Sequence, residues 1–271
     1  MQADKLVYDV GMCRGEDTEF YLNRGYRVVG VEANPALVKS LREKFATEQE
    51  RGQLHIVDKA IADKPGRVRF TVYPDVPVWG SISTKFNERN AAKGLSAEEV
   101  EVEAVRFDDV LREFGVPYYM KIDIEGLDMA CIEALHRVSE RPRYVSLETA
   151  VTSGVASLED GFAELAHLWV LGYRRFKYID QTNLHKLNGT LLTAEGPPLH
   201  YQYRQGSSGP FGEETRGEWQ SLDGAVRQMR KLVANHNAFG LGGLHSRRLS
   251  FRIMKRLRRI ERTWWDLHAR L

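Results

Sequence analysis

The sequence predicts an α/β fold: a Rossmann-like, doubly wound, mostly parallel sheet with helices on both faces, followed by a C-terminal loop-rich and helical extension. Three observations predict it. Apolar runs of strand length alternate with helix-period segments up to about residue 180, a glycine loop occupies the first strand-to-helix turn, and several strands end in an acid. With 271 residues, 42% of them hydrophobic, the chain can bury one sizeable core, so one main domain is expected over two equal ones.

Lys5-Leu-Val-Tyr-Asp-Val10 reads as the first strand, a helix is expected near 17 to 24, and Arg27-Val-Val-Gly-Val-Glu32 completes the opening βαβ unit. Asn34 can cap the next helix, with Pro35 in its first turn and Leu37, Val38, Leu41 and Phe45 on one face. Leu54-His-Ile-Val57 is a third strand, Ala60-Ile-Ala-Asp63 follows, and the turn Lys64-Pro-Gly66 leads into the alternating Val68 to Val72. Residues 74 to 98 look irregular, and Gly80-Ser-Ile-Ser83 is polar enough to line a site. Val100 to Val105 alternates as a strand, and Asp108 can cap a short helix ending at Gly115. Tyr118-Tyr-Met-Lys-Ile-Asp-Ile124 is a buried-type strand carrying Lys121 and Asp123 against its apolar grain, and Leu127, Cys131, Leu135 and Val138 mark the helix after it. Arg143 to Glu148 is a fifth parallel strand, 157 to 171 a helix and Tyr173 to Asp180 a closing strand.

Three units are expected: 1–182 as the sheet domain, 183–245 as a lid-like insertion plus a helix over 221 to 239, and 246–271 as a basic amphipathic helix. Within the insertion, Gly206-Ser-Ser-Gly-Pro-Phe-Gly-Glu-Glu214 and Trp219 combine glycines, hydroxyls and an aromatic ring, the composition of a substrate lid. In the tail, Leu249, Ile253, Leu257, Ile260, Trp264, Leu267 and Leu271 recur at helical spacing with Lys and Arg between them. Such a stripe must be buried on the protein's own body, in a homodimer, or against an anionic membrane surface.

Formal net charge is only +2, yet residues 246 to 271 hold nine Lys and Arg against Glu261 and Asp266, so the remainder is mildly acidic. An acidic body opposes an extended phosphate track, which makes nucleic acid an unfavoured partner. Two cysteines, Cys13 and Cys131, cannot build a disulfide framework or a cysteine zinc site. No run approaches the roughly 18 apolar residues of a membrane helix, and no signal-peptide layout precedes the first strand, so a soluble cytoplasmic protein is expected.

Asp9-Val-Gly11-Met-Cys-Arg-Gly15 places two glycines where backbone N–H groups and a helix N-terminus face a ligand. Glu32 ends the second strand, where an acid accepts hydrogen bonds from ribose hydroxyls. This loop lacks the G-x-G-x-x-G spacing of dinucleotide sites. An acid at position 9 suits an ammonium better than a pyrophosphate, and both features favour S-adenosylmethionine over a nicotinamide cofactor. Lys121-Ile-Asp123-Ile-Glu125-Gly126 ends the fourth strand at the same carboxyl edge; its charges form either a structural ion pair or a site that orients substrate and moves a proton.

Taken together, Val7-Tyr-Asp-Val-Gly11, Val31-Glu-Ala-Asn-Pro35, Ala60-Ile-Ala-Asp63 with Gly66, Phe107-Asp-Asp-Val-Leu111, Lys121 to Gly126 and Val145-Ser-Leu-Glu148 resemble the FkbM family of class I S-adenosylmethionine-dependent methyltransferases, over the first two-thirds of the chain. The resemblance implies that Asp9, Gly11, Gly15 and Glu32 hold the cofactor, with Asp58 or Asp63 near the adenine. It also implies methylation of a hydroxyl on a sugar, glycan or secondary metabolite. A hydroxyl nucleophile must lose its proton, so Asp123 and Glu125 are the first candidate bases, with Lys121 and Glu148 beside them. Oxygen ligands suit magnesium, yet three carboxylates are no specific signature, and no metal is assigned. The competing expectations are an NAD-dependent oxidoreductase and a catalytically silent binding module of the same fold.

Overall fold

The apolar N-terminal run forms β1 (Leu6–Val10), at the heart of a seven-stranded sheet. The computed structural model describes residues 5–92, 94–151, 157–239 and 264–271. Along the chain β1 is followed by α1 (Glu16–Asn23), β2 (Arg27–Val31), α2 (Pro35–Lys44), α3 (Ala46–Glu50), β3 (Leu54–Val57), β4 (Ala60–Ile61), β5 (Gly66–Val72), α4 (Thr84–Ala91), β6 (Glu98–Val105) and α5 (Phe107–Phe114). Then come β7 (Tyr119–Ile122), α6 (Asp128–Ala134), β8 (Tyr144–Glu148), α7 (Leu158–Val170), β9 (Arg175–Asp180), β10 (Leu191–Leu192), β11 (Leu199–His200), α8 (Leu222–Phe239) and β12 (Trp265–Arg270).

The large sheet has the order β3-β2-β1-β7-β8-β12-β9. Strands β3, β2, β1, β7 and β8 run parallel, as their continuous apolar character requires of strands covered on both faces. A second sheet, β4-β6-β5, stands beside it, and β10 and β11 form a two-stranded ribbon. Alternation along the strands separates two apolar layers. Tyr8, Val10, Met120, Ile122, Val145 and Leu147 face α5 to α8, whereas Val7, Tyr119 and Tyr144 face α1, α2 and residues 184 to 219.

Local chemistry accounts for the helix starts. Asn34 caps α2 by accepting from Ala36 N at 3.1 Å, with Pro35 at the first helical position. Ser157 and Asp160 form a reciprocal capping box on α7. Asp108 is not the cap of α5; Arg106 occupies that position, and the buried Asp108 carboxylate accepts from Arg106 and Arg112. Residues 84 to 91, within the stretch expected to be irregular, form α4.

One expectation about the C-terminal third is corrected. Residues 265–270 are a strand, not the end of a helix: β12 inserts antiparallel between β8 and β9. Leu267 and Ala269 enter one apolar layer while Asp266 and His268 are buried on the other face. Leu267 fits both the three-and-four spacing and the period of two, and pairing on both edges decides for the strand. Residues 246–263 of the expected tail helix lie outside the described residues. The segment expected as a lid reaches the site cavity at Gly206, beside Gln205, and packs into the protein beyond it. Ser207 to Gly212 are buried, and Phe211 stacks on Tyr119 with ring centroids 3.9 Å apart. Tyr21, Tyr26, Tyr118 and Tyr144 surround the same ring, and Trp219 packs on Tyr144. Residues 207–212 thus belong to the second face's covering layer, fixed by burial of the Phe211 ring. Among the described residues no helix is long and apolar enough to cross a membrane.

Candidate active site

Strand order reverses between β1 and β7, and in an open α/β sheet the carboxyl ends at that reversal leave a crevice. Here the crevice is a cavity of about 640 Å³. Its walls come from the loop after β1 (Gly11, Cys13, Arg14), the end of β2 (Glu32, Asn34), β4 (Ala60, Ile61), the segment Trp79 to Ile82, and the ends of β7 and β8 (Asp123, Glu125, Glu148).

Gly11 has φ +89°, and a Cβ there would lie 1.8 Å from the Asp123 carbonyl oxygen, so glycine lets the β1 loop close against β7. Gly15 serves differently. It begins α1 in a left-handed conformation, and a Cβ would meet Phe45 and Leu41 at 2.5 and 2.9 Å; Gly15 therefore permits helix packing and is not part of the cavity wall.

Glu32 accepts from Cys13 N at 2.9 Å and from Asn34 N at 2.8 Å. Burial outweighs those donors and pushes its pKa up to about 7. The carboxyl lines the cavity between the glycine loop and the cap of α2.

Asp9 is fully buried and is absent from the cavity wall. It accepts from Thr18 Oγ1 at 2.6 Å and from Lys121 Nζ at 3.4 Å. Lys121 also donates to the Gly11 carbonyl at 3.2 Å and stands 3.6 Å from Asp17 and 3.8 Å from Asp123. Burial opposes the Lys121 charge, but Asp9, Asp123, Asp17 and Asp266 together hold its pKa well above the ordinary value. Burial raises the pKa of Asp17 to about 7 and lifts that of Asp123 above the usual carboxylate range, against the pull of Lys121.

After Ile122 the chain leaves the sheet, and Glu125 takes a left-handed φ of +54° that is uncommon for a non-glycine residue. Ser81 Oγ donates to the Glu125 carbonyl at 2.8 Å, and Asp128 accepts from Ile124 N and Gly126 N, which fixes the turn. Asp123, Glu125 and Glu148 thereby each present a carboxylate oxygen within 4.8 Å of the others. Burial, then Asp123, Glu125, Asp128 and Asp266, drive the pKa of Glu148 well above its ordinary value. Such a trio can receive a proton, and its oxygens also have the spacing that a divalent cation accepts.

The structure thus gathers Gly11, Glu32, Lys121, Asp123, Glu125 and Glu148 in one cavity and leaves out four expected residues. Asp9 and Gly15 lie behind its wall. Asp58 is half exposed and paired with Arg42 at 2.7 Å, and Asp63 faces solvent; neither lines the cavity, whose wall there is Lys59, Ala60 and Ile61. Sequence reasoning missed Asp17, in the first turn of α1 and in the cavity wall, and Asp266 of β12, which acts electrostatically on Lys121 from outside the wall and accepts from Gln181 Nε2 at 2.7 Å. Asp17 is one of three acids, with Glu16 and Glu19, in that first turn and does not stand out among them; Asp266 had no local signal.

Residues 9–175 match the Methyltransferase FkbM domain. The chain belongs to that family. The FkbM-domain match contains the cavity residues at and just after the ends of β1, β2, β7 and β8 and ends before Phe211, Trp219 and β12. A similar solved structure is the methyltransferase FkbM from Methylobacillus flagellatus KT, with 13% identity and a TM-score of 0.44, covering 65% of this chain and 40% of that one. The chain thus spans less than half of that protein. Precorrin-6y C5,15-methyltransferase from Geobacter metallireducens GS-15 has 12% identity and a TM-score of 0.40 over 99% of this chain and 80% of that one. A putative sarcosine dimethylglycine methyltransferase from Galdieria sulphuraria has 9% identity and a TM-score of 0.41 over 99% and 79%. No curated protein matches the chain.

Proposed function

We propose that this FkbM-domain methyltransferase uses S-adenosylmethionine to methylate a hydroxyl oxygen of a small-molecule or glycan acceptor. The observation that carries the reading is Glu32, a buried acid at the end of β2 lining a cavity that also contains Gly11. An acid so placed accepts from ribose hydroxyls, and the residues around it fit an adenosine-bearing ligand: Ala60, Ile61 and Leu37 offer apolar surface, and Gly11 allows close backbone approach. When bound, that cofactor supplies an electrophilic methyl group.

The protein's own part is to align and deprotonate the acceptor. Asp123 and Glu148 line the cavity, and burial lifts the pKa of both, which makes each, when ionised, a stronger acceptor for the hydroxyl proton than a carboxylate in water. Lys121, held as a cation, offsets part of the charge of Asp123 and keeps the β1 loop against β7. Calorimetry with S-adenosylhomocysteine and with NAD tests the cofactor. Binding of the first and not the second is expected, with Glu32→Ala weakening it by roughly tenfold or more; binding of NAD alone refutes the reading. Asp123→Asn and Glu148→Gln should retain S-adenosylhomocysteine and lose methyl transfer to a pool of hydroxylated acceptors.

A further inference from the structure

We propose that Asp17, and not Asp9, receives the ammonium of the cofactor's amino-acid end. The inference rests on the S-adenosylmethionine reading above. Sheet order gives the ligand its direction: β2 and β7 flank β1 on opposite sides, so Glu32 and the Lys121–Asp17 pair lie on opposite sides of the glycine loop. With the ribose at Glu32, the cavity continues past Gly11 toward β7, and Asp17 is in its wall there.

Asp9 is closed to this role, being fully buried and engaged by Thr18 and Lys121. Asp17 is held for it. Ser208 N donates to both of its oxygens, at 2.9 and 3.0 Å, which fixes the carboxylate while leaving lone pairs free. Charge supplies the second argument. Lys121 is a single cation shared among Asp9, Asp17, Asp123 and Asp266, all of which act on it electrostatically. One cation faces four carboxyl groups, of which Asp9, Asp17 and Asp266 are buried, and unpaired buried charge is costly. S-adenosylmethionine, whose ammonium and sulfonium outweigh its one carboxylate, brings net positive charge to that cluster.

The wild-type protein, Asp17→Asn and Asp9→Asn are titrated calorimetrically with S-adenosylhomocysteine, its analogue lacking the α-amine, and 5′-methylthioadenosine, which lacks the whole amino-acid end. The wild type should bind the deaminated analogue ten- to a hundredfold more weakly than S-adenosylhomocysteine, the loss expected for a charge-assisted hydrogen bond. Asp17→Asn should bind the two nearly alike with unchanged affinity for 5′-methylthioadenosine, and Asp9→Asn should keep the discrimination. A merely structural role for Asp17 would weaken all three compounds together and overturn the proposal. Equal binding of S-adenosylhomocysteine and its deaminated analogue by the wild type overturns it without any variant, as does loss of discrimination in Asp9→Asn. If the wild type binds none of the three, the cofactor reading itself falls.

Discussion

Lys121 and Asp9 are register partners on the parallel pair β7 and β1, and their Nζ and Oδ1 atoms lie 3.4 Å apart, Lys121 in the cavity wall and Asp9 behind it. Both side chains are buried. Removing one partner of such a pair strands the other charge. Lys121→Met should lower stability by about 3–5 kcal/mol in urea unfolding, and adding Asp9→Asn should recover part of that loss. Strictly additive costs would show that the two do not act as a pair.

The two loop glycines should respond differently to alanine. At Gly11 the new Cβ would strike backbone, the Asp123 carbonyl at 1.8 Å, which cannot move without opening β1 from β7. At Gly15 the obstacle is the ring of Phe45 and the tip of Leu41. Gly11→Ala should therefore abolish ligand binding, whereas Gly15→Ala should mainly reduce stability and be partly relieved by Phe45→Leu. Thermal melts and S-adenosylhomocysteine titrations distinguish the cases; equal effects on binding would count against the separate roles.

Phe211 belongs to a packed layer and is absent from the cavity wall. Phe211→Ala should destabilise the fold by roughly 3–5 kcal/mol, with S-adenosylhomocysteine affinity of the folded fraction changed less than about threefold. A gating loop would show the reverse, near-native stability and altered ligand kinetics.

Glu164 is buried beneath the loop after β8, accepting from Thr149 Oγ1 and Ala150 N at 2.7 Å, and burial pushes its pKa up from 4.5 to about 7. Between those values the folded protein keeps a proton that the unfolded chain has lost, so this group's contribution to stability falls as pH rises and then levels off. Glu164→Gln removes the titration. The stability of the variant relative to wild type should climb between pH 4.5 and about 7, by up to about 3 kcal/mol. His268, whose pKa burial lowers to about 3, has the opposite slope below its ordinary value of 6.5 but cancels in the difference. A difference constant with pH would refute the assignment.

The parallel core was legible because each strand carries its own apolar run; Asn34-Pro35, which caps α2, and the Lys121 to Gly126 stretch needed no distant partner to be recognised. Asp9 misled because acid-then-glycine at a strand end reads as a ligand contact, while only the fold shows Thr18 and Lys121 sealing it. Asp17 was hidden by its position, since an acid in a first helical turn is already explained by the helix dipole. Residues 264 to 271 satisfied two periodicities at once, and the choice lay with β8 and β9, more than eighty positions upstream for β9.

That placement of β12 also governs the order in which the protein can assemble. Within the described sheet β9 has no strand partner except β12, and Gln181 waits 85 positions for Asp266. During synthesis the five parallel strands can associate while β9 still presents an open edge, so this region should depend on shielding until β12 emerges from the ribosome. Completion of the sheet and delivery of Asp266 beside Lys121 are then one event, so a chain halted short of residue 265 would lack both the closed edge and one acid of its charge cluster.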